Sequence, residues 1–213
     1  MSGLIARGSN GVPGPPLAPR WRRPSWEALR PKAKRSIDVA VATMLLILVA
    51  PTFLLVALAV VLDGGPVFCR LRHVGCGGRE FNRLRFRTTL RASQPAAPHP
   101  RPETTGLGEL LCMLRLDELP QLLNVLRGDM SLVGPRPATR EELDRFHAPL
   151  GLVQDYIAVR PGLVGPAQIS DAGLSDRARI GLDAAYGHSP SLRTDLLLLG
   201  RALGLISHQR WTV

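Results

Sequence analysis

The chain of 213 residues carries 27 Lys and Arg against 17 Asp and Glu, a formal net charge of +10, with 45% hydrophobic and 5% aromatic residues. That length allows one sizeable domain plus appendages, and the charge calls for an anionic partner: nucleic acid, lipid headgroups or a phosphorylated substrate. So few aromatics argue against a stacking platform for single strands, and three cysteines (Cys69, Cys76, Cys112) form neither a metal-ligand pattern nor a disulfide framework, so reduced thiols in a cytosolic compartment are expected.

The excess charge is confined to two segments. Residues 1–36 hold eight Arg or Lys against Glu27, and residues 70–91 hold seven Arg against Glu80. From Gly128 onward the count is nine basic to nine acidic. Residues 1–31 are rich in Gly, Pro and Arg without apolar periodicity. They read as a disordered basic arm, with Trp21 and Trp26 available as interfacial anchors or as part of an inert tail.

Val39 to Leu62 is a run of 24 uncharged residues, enough to span an apolar layer of ~30 Å as one helix. It lies too far along the chain, and is too long, for an ordinary cleaved signal peptide. Pro51 at its midpoint favours a kink, and basic residues on both flanks favour keeping both ends on one side. A helix–break–helix that enters and leaves by the same leaflet satisfies both features. Asp63-Gly64-Gly65-Pro66 then ends the segment. The runs 67–75 and 79–88 have the β-branched and aromatic content of short strands, joined by Gly75-Cys76-Gly77-Gly78, and predict a hairpin. Without a following Lys-Ser/Thr that glycine-rich turn is a poor phosphate loop.

Residues 92–106 read as a polar, Pro-rich loop. Leu107, Leu110, Leu111 and Leu114 then recur at helical spacing, as do Leu119, Leu122, Leu123 and Leu126, the second helix closing at Gly128-Asp129. Further helices are expected in 138–158 and 192–206.

Between the two leucine patterns stand Asp117 and Glu118. Asp117 occupies an N-cap position, where an acidic residue needs no further explanation. Its company suggests more. Asp129 and Arg136 follow, Arg136 is fixed between Pro135 and Pro137, and Arg85, Arg87 and Arg160 are close enough in sequence to fold nearby. Arginine suits bidentate phosphate binding, and a carboxylate nucleophile beside arginines fits phosphoryl chemistry through a covalent acyl phosphate. A divalent cation would offset the charge of a diphosphate.

The order of a basic KRSID flank, a Pro-broken apolar segment, GGPV, a G-x-x-G-x-x-F element, F-R-T, LDELPQLLNVLRGDMSLVGPRP and RPGLVGPAQIS resembles the bacterial sugar transferases, the monotopic phosphoglycosyl transferases. The resemblance covers about residues 32–206. It implies transfer of a sugar 1-phosphate from a UDP-sugar to a polyprenyl (undecaprenyl) phosphate through a phosphosugar–aspartate, releasing UMP and starting exopolysaccharide or glycan assembly. By motif match Asp117 is the nucleophile, Glu118 assists it, and the two place Mg²⁺. Arg136, with Pro135 and Pro137, binds substrate phosphate or nucleotide. Arg85, Arg87, Gln168 and Arg160 shape the site.

The sequence departs from that pattern at several positions. Cys112 stands where the family usually has an arginine, and Arg115, closer to the dyad, is the expected replacement charge. Leu71-Arg72-His73 replaces Gln-Glu-Arg, while Thr89, Glu103 and Ala50 are further replacements. The alternative that these raise is a catalytically weakened or inactive membrane-bound paralogue scaffolding glycan-assembly enzymes. No nucleic-acid partner is expected, since no such motif is present and the apolar run would go unused.

The expected architecture is α+β and mostly helical: a basic arm (1–31), a re-entrant membrane hairpin (32–65), and a compact cytoplasmic catalytic domain (66–213) with a short β-hairpin. The expected setting is the cytoplasmic face of a bacterial inner membrane, among membrane lipids, with a homodimer left open.

Overall fold

The computed structural model describes residues 31–89, 104–145, 149–169 and 175–208. The basic arm with Trp21 and Trp26, Glu103 and most of the 92–106 loop lie outside the described residues.

The apolar run forms one helix, α1 (Pro31–Leu62), of 32 residues and roughly 48 Å. Its inward residues recur every three or four positions: Asp38, Val41, Ala42, Leu45, Leu46, Val49, Phe53, Val56, Ala57 and Val60. The opposite stripe is apolar and uncovered, with Ile47 71% and Leu48 73% exposed and Leu54, Leu55, Leu58 and Leu62 alongside. Only 11% of the most apolar 18-residue window is buried, so this is not the core helix of a water-soluble domain. By length and composition it can cross a membrane.

The expected division at Pro51 is a point of difference, because the helix runs through it. A proline removes one N–H from the ladder, a cost that packing on either side can offset. Val49 and Phe53 continue the docked stripe across the position, so packing favours continuity.

Both ends of α1 are tied to the rest of the chain. Near its start, Lys34 Nζ donates to Val133 O (3.2 Å), to Tyr186 Oη (3.2 Å) and to Asp195 Oδ2 (2.5 Å). Arg35 donates to the carbonyls of Val125 and Leu126, and Asp38 accepts from Ser131 Oγ (2.8 Å) and Leu132 N (3.2 Å). At its end, Arg87 Nη2 donates to Val60 O (3.3 Å) and Asp63 Oδ2 (3.2 Å).

The expected hairpin is present: β1 (Phe68–Val74) pairs antiparallel with β2 (Glu80–Phe86) in the register Leu71↔Arg83 and Cys69↔Arg85. Gly77 (φ 68°) and Gly78 (φ 76°) turn the chain through left-handed backbone that glycine adopts freely. Period-two alternation sends Leu84 and Phe86 into the core, where Phe86 packs on Phe53 (centroids 4.9 Å) and Phe68 (5.7 Å). Arg83 and Arg85 therefore share the other face.

The leucine patterns become α2 (Gly106–Met113) and α3 (Gln121–Arg127), and Gly128 (φ 94°) closes α3. The 138–158 region divides into α4 (Arg140–Arg145) and α5 (Leu150–Ile157), and α8 (Leu192–His208) ends the described chain. Four elements lie outside the sequence expectation: the parallel pair β3 (Ser131–Val133) and β4 (Gly162–Val164), the short α6 (Pro166–Ile169), and α7 (Asp176–His188). The apolar core beneath α1 gathers Leu122, Val125, Met130, Leu132, Val133, Tyr186 and Leu198.

Candidate active site

Asp117 does not cap α3. It lies in a 3-10 turn, Leu116–Glu118, whose preceding residue Arg115 takes left-handed backbone (φ 57°), and the helix begins only at Gln121 after Pro120. The dyad therefore sits on a tight turn at the junction of α2 and α3, and Asp117 is 1% exposed.

The arginine face of β2 meets that turn. Arg85 Nη2 donates to Asp117 Oδ2 and lies 3.5 Å from Glu118 Oε1. Arg83 Nη2 is 3.6 Å from the same Glu118 oxygen, and Arg115 Nη1 is 3.4 Å away. Three guanidiniums thus converge on two adjacent carboxylates. Burial pushes the pKa of Arg83 down, and Glu118 opposes that shift. Asp117 Oδ1 is buried and accepts no hydrogen bond from the described residues. An unpartnered carboxylate oxygen in such a place is costly unless something else meets it.

Asn124 sets the distance between β2 and α3. Fully buried, it accepts from Leu84 N (2.9 Å) and donates to Asn82 O (2.8 Å), so it bonds β2 as a neighbouring strand would. It also donates to Asp129 Oδ2 (3.2 Å), which occupies Asp129 at the end of α3.

Pro135 and Pro137 are buried while Arg136 between them is exposed. Its guanidinium has no partner among the described residues, yet its charge is felt at Arg83 and at His73. The backbone under it is closely packed. Gly162 N donates to Pro135 O (2.9 Å) and Gly134 N to Val164 O (3.0 Å), an approach that leaves no room for a Cβ on Gly134 or Gly162. The Arg160 carbonyl abuts Gly134, and Gln168 on α6 accepts from Gly165 N (2.7 Å). Arg160 and Gln168 are thus gathered beside Pro135-Arg136-Pro137.

Arg87 is placed differently from the expectation. β2 ends at Phe86, and the Arg87 side chain goes to Val60, Asp63 and the Thr89 carbonyl (3.2 Å). It fastens the end of α1 rather than the dyad. Cys112 is exposed on α2, and Arg115, three residues on, joins Arg83 and Arg85 at Glu118.

Two residues that sequence reasoning passed over hold Arg136 itself. Asp183 on α7 accepts from Arg136 N (3.1 Å) and Ala167 N (3.1 Å), and Tyr156 Oη on α5 donates to Arg136 O. Burial pushes the Asp183 carboxyl above the usual range, while its two backbone donors pull it back. An acidic residue followed by Ala-Ala-Tyr in a helix of mixed composition carries no signal of this.

A buried carboxylate, three converging guanidiniums and a long helix with an uncovered apolar stripe thus belong to one folded unit. The bacterial sugar transferase family profile matches residues 29–208, and the chain belongs to that family, placing it among the phosphoglycosyl transferases. It is 37% identical to the exopolysaccharide production protein ExoY of Sinorhizobium fredii, over 84% of this chain and 87% of that protein. It is 40% identical to the UDP-glucose:undecaprenyl-phosphate glucose-1-phosphate transferase of Caulobacter vibrioides, over 80% of this chain and 68% of that protein. A third relative, the undecaprenyl-phosphate galactose phosphotransferase of Salmonella typhimurium, is 33% identical over 78% of this chain but only 38% of its own length.

Proposed function

We propose that this enzyme transfers a sugar 1-phosphate from a UDP-sugar to undecaprenyl phosphate and so starts exopolysaccharide assembly. The observation that carries the reading is the Asp117 carboxylate, one oxygen held by Arg85 and the other without a partner among the described residues. In the first half-reaction an Asp117 oxygen attacks the sugar-bearing phosphorus of the diphosphate. The phosphorus–oxygen bond to UMP breaks, and UMP leaves with its electron pair. In the second, a phosphate oxygen of the polyprenyl acceptor attacks the same phosphorus, and the carboxylate is released. Arg83, Arg85 and Arg136 offset the diphosphate charge. Glu118 accepts a hydrogen bond or proton at the entering group.

Magnesium fits the residues present. The Asp117 carboxylate, with its Oδ1 unpartnered among the described residues, and the neighbouring Glu118 carboxylate are the groups that would hold it. Bound there, Mg²⁺ supplies charge neutralisation for the diphosphate.

Purified protein in lipid discs, given a UDP-sugar panel, undecaprenyl phosphate and Mg²⁺, is expected to release UMP with at least one donor, and EDTA to stop it. No release across the panel, with retained binding of other glycan-assembly enzymes, would favour a scaffold instead.

A membrane segment with both ends on the cytoplasmic face of the inner membrane is supported by the ties at Lys34–Asp38 and at Val60–Asp63, which fasten both ends of α1 to one folded unit. Single cysteines placed near residues 30 and 70, on a cysteine-free background, are expected to resist an impermeant reagent in intact cells. Labelling of either from outside would replace this one-sided arrangement with a span.

A further inference from the structure

We propose that Asp183 and Tyr156 are positioning residues for the diphosphate, acting through the peptide of Arg136; this rests on the reading of Arg136 as a diphosphate ligand. Across Pro135-Arg136-Pro137 there is a single amide N–H, because neither proline has one. That N–H goes to Asp183 Oδ2 (3.1 Å), the Arg136 carbonyl accepts from Tyr156 Oη, and the Pro135 carbonyl accepts from Gly162 N (2.9 Å). The peptide is therefore gripped from α7, α5 and β4 at once, while the side chain it carries stands free in solvent.

A long flexible cation on an exposed surface would ordinarily sweep many rotamers. With both prolines buried and the peptide fixed on either face, the Cα–Cβ direction is set, and the guanidinium, whose charge is felt at Arg83, searches a smaller volume. The other Asp183 oxygen takes Ala167 N (3.1 Å) at the start of α6, so one carboxylate sets Arg136 and Gln168 relative to each other. Asp183 is 3% exposed, an expensive place for a charge whose hydrogen bonds all go to the backbone of these two segments. Burial and the nearby Asp183 charge push the Tyr156 phenol pKa upward, so its hydroxyl remains a donor at neutral pH.

The test uses Tyr156→Phe, which removes one oxygen and keeps the packing, and Asp183→Asn, which keeps one acceptor, each alone and on an Arg136→Ala background. Readouts are melting temperature, UDP affinity by calorimetry with Mg²⁺, and the KM and kcat of UMP release. Tyr156→Phe is expected to weaken UDP binding and raise KM about tenfold with little change in melting temperature. On the Arg136→Ala background it should change neither further, because the residue through which it acts is gone. An equal loss in both backgrounds assigns Tyr156 and Asp183 a general structural role and overturns the proposal, as does no loss in either. If Arg136→Ala binds UDP as the unmodified protein does, the diphosphate reading of Arg136 fails and the proposal with it. If UMP release is absent while UDP binding shows the expected coupling, only the transferase reading fails.

Discussion

Asp117→Asn is expected to lower sugar-phosphate transfer by about four orders of magnitude while UDP binding is retained. The substitution exchanges one carboxylate oxygen for an amide nitrogen of nearly the same size at a residue that is 1% exposed, so packing is preserved. What is lost is the nucleophile. An amide oxygen is a poor attacking group, and no acyl phosphate of comparable stability follows from it. Radiolabel from the sugar phosphate should remain on unmodified protein when acceptor is withheld, and it should be absent from the variant. Arg85 loses its ionic partner, but it is 30% exposed and still lies 3.5 Å from Glu118, so the cost in stability is modest. Full turnover by Asp117→Asn would sink the covalent route and move attention to direct attack by the acceptor.

Glu118 is the more exposed member of the pair and makes all three ion pairs of the dyad that do not involve Asp117. Its position explains why two adjacent carboxylates are tolerated. The repulsion between them is offset by Arg83, Arg85 and Arg115, which arrive from a strand face and from the turn itself.

Much of this was legible in the sequence, for identifiable reasons. The hairpin announced itself because β-branched and aromatic residues alternate on either side of a glycine turn, and α3 because a leucine repeat ends on Gly128. The dyad and Pro135-Arg136-Pro137 were legible as motifs. Their surroundings were not. β3 and β4 are three-residue strands whose pairing depends on two glycines touching across a separation of about thirty residues, and no local pattern encodes that. Asn124 sits at a helical position like any other polar residue, and only its burial shows that it serves β2. Arg83, Arg85 and Arg87 share one parity, but the strand ends before the third, so alternation could not separate the two that reach the dyad from the one that holds α1. Pro51 was given its ordinary weight as a helix breaker, and docking along both halves of α1 outweighed it.

Arg136→Ala is expected to lower kcat/KM for the UDP-sugar about a hundredfold, chiefly through KM, and Arg136→Lys to recover only part of the loss. The residue stands exposed between two buried prolines with no internal ion pair among the described residues, so no stabilising contact is broken by its removal, and the melting temperature should hold. A lysine restores the charge but offers a point donor where a guanidinium offers a fork matched to two phosphate oxygens. Because the group is exposed, the loss should shrink as ionic strength rises, since salt already screens the original arginine. The split of the effect carries the argument. As the nucleophile Asp117 acts when a bond is made, so its loss appears chiefly in kcat; Arg136 grips the diphosphate before and during reaction, so its loss appears in KM. An unchanged KM in Arg136→Ala would remove Arg136 from the substrate site and leave Arg83 and Arg85 as the cations that meet the diphosphate.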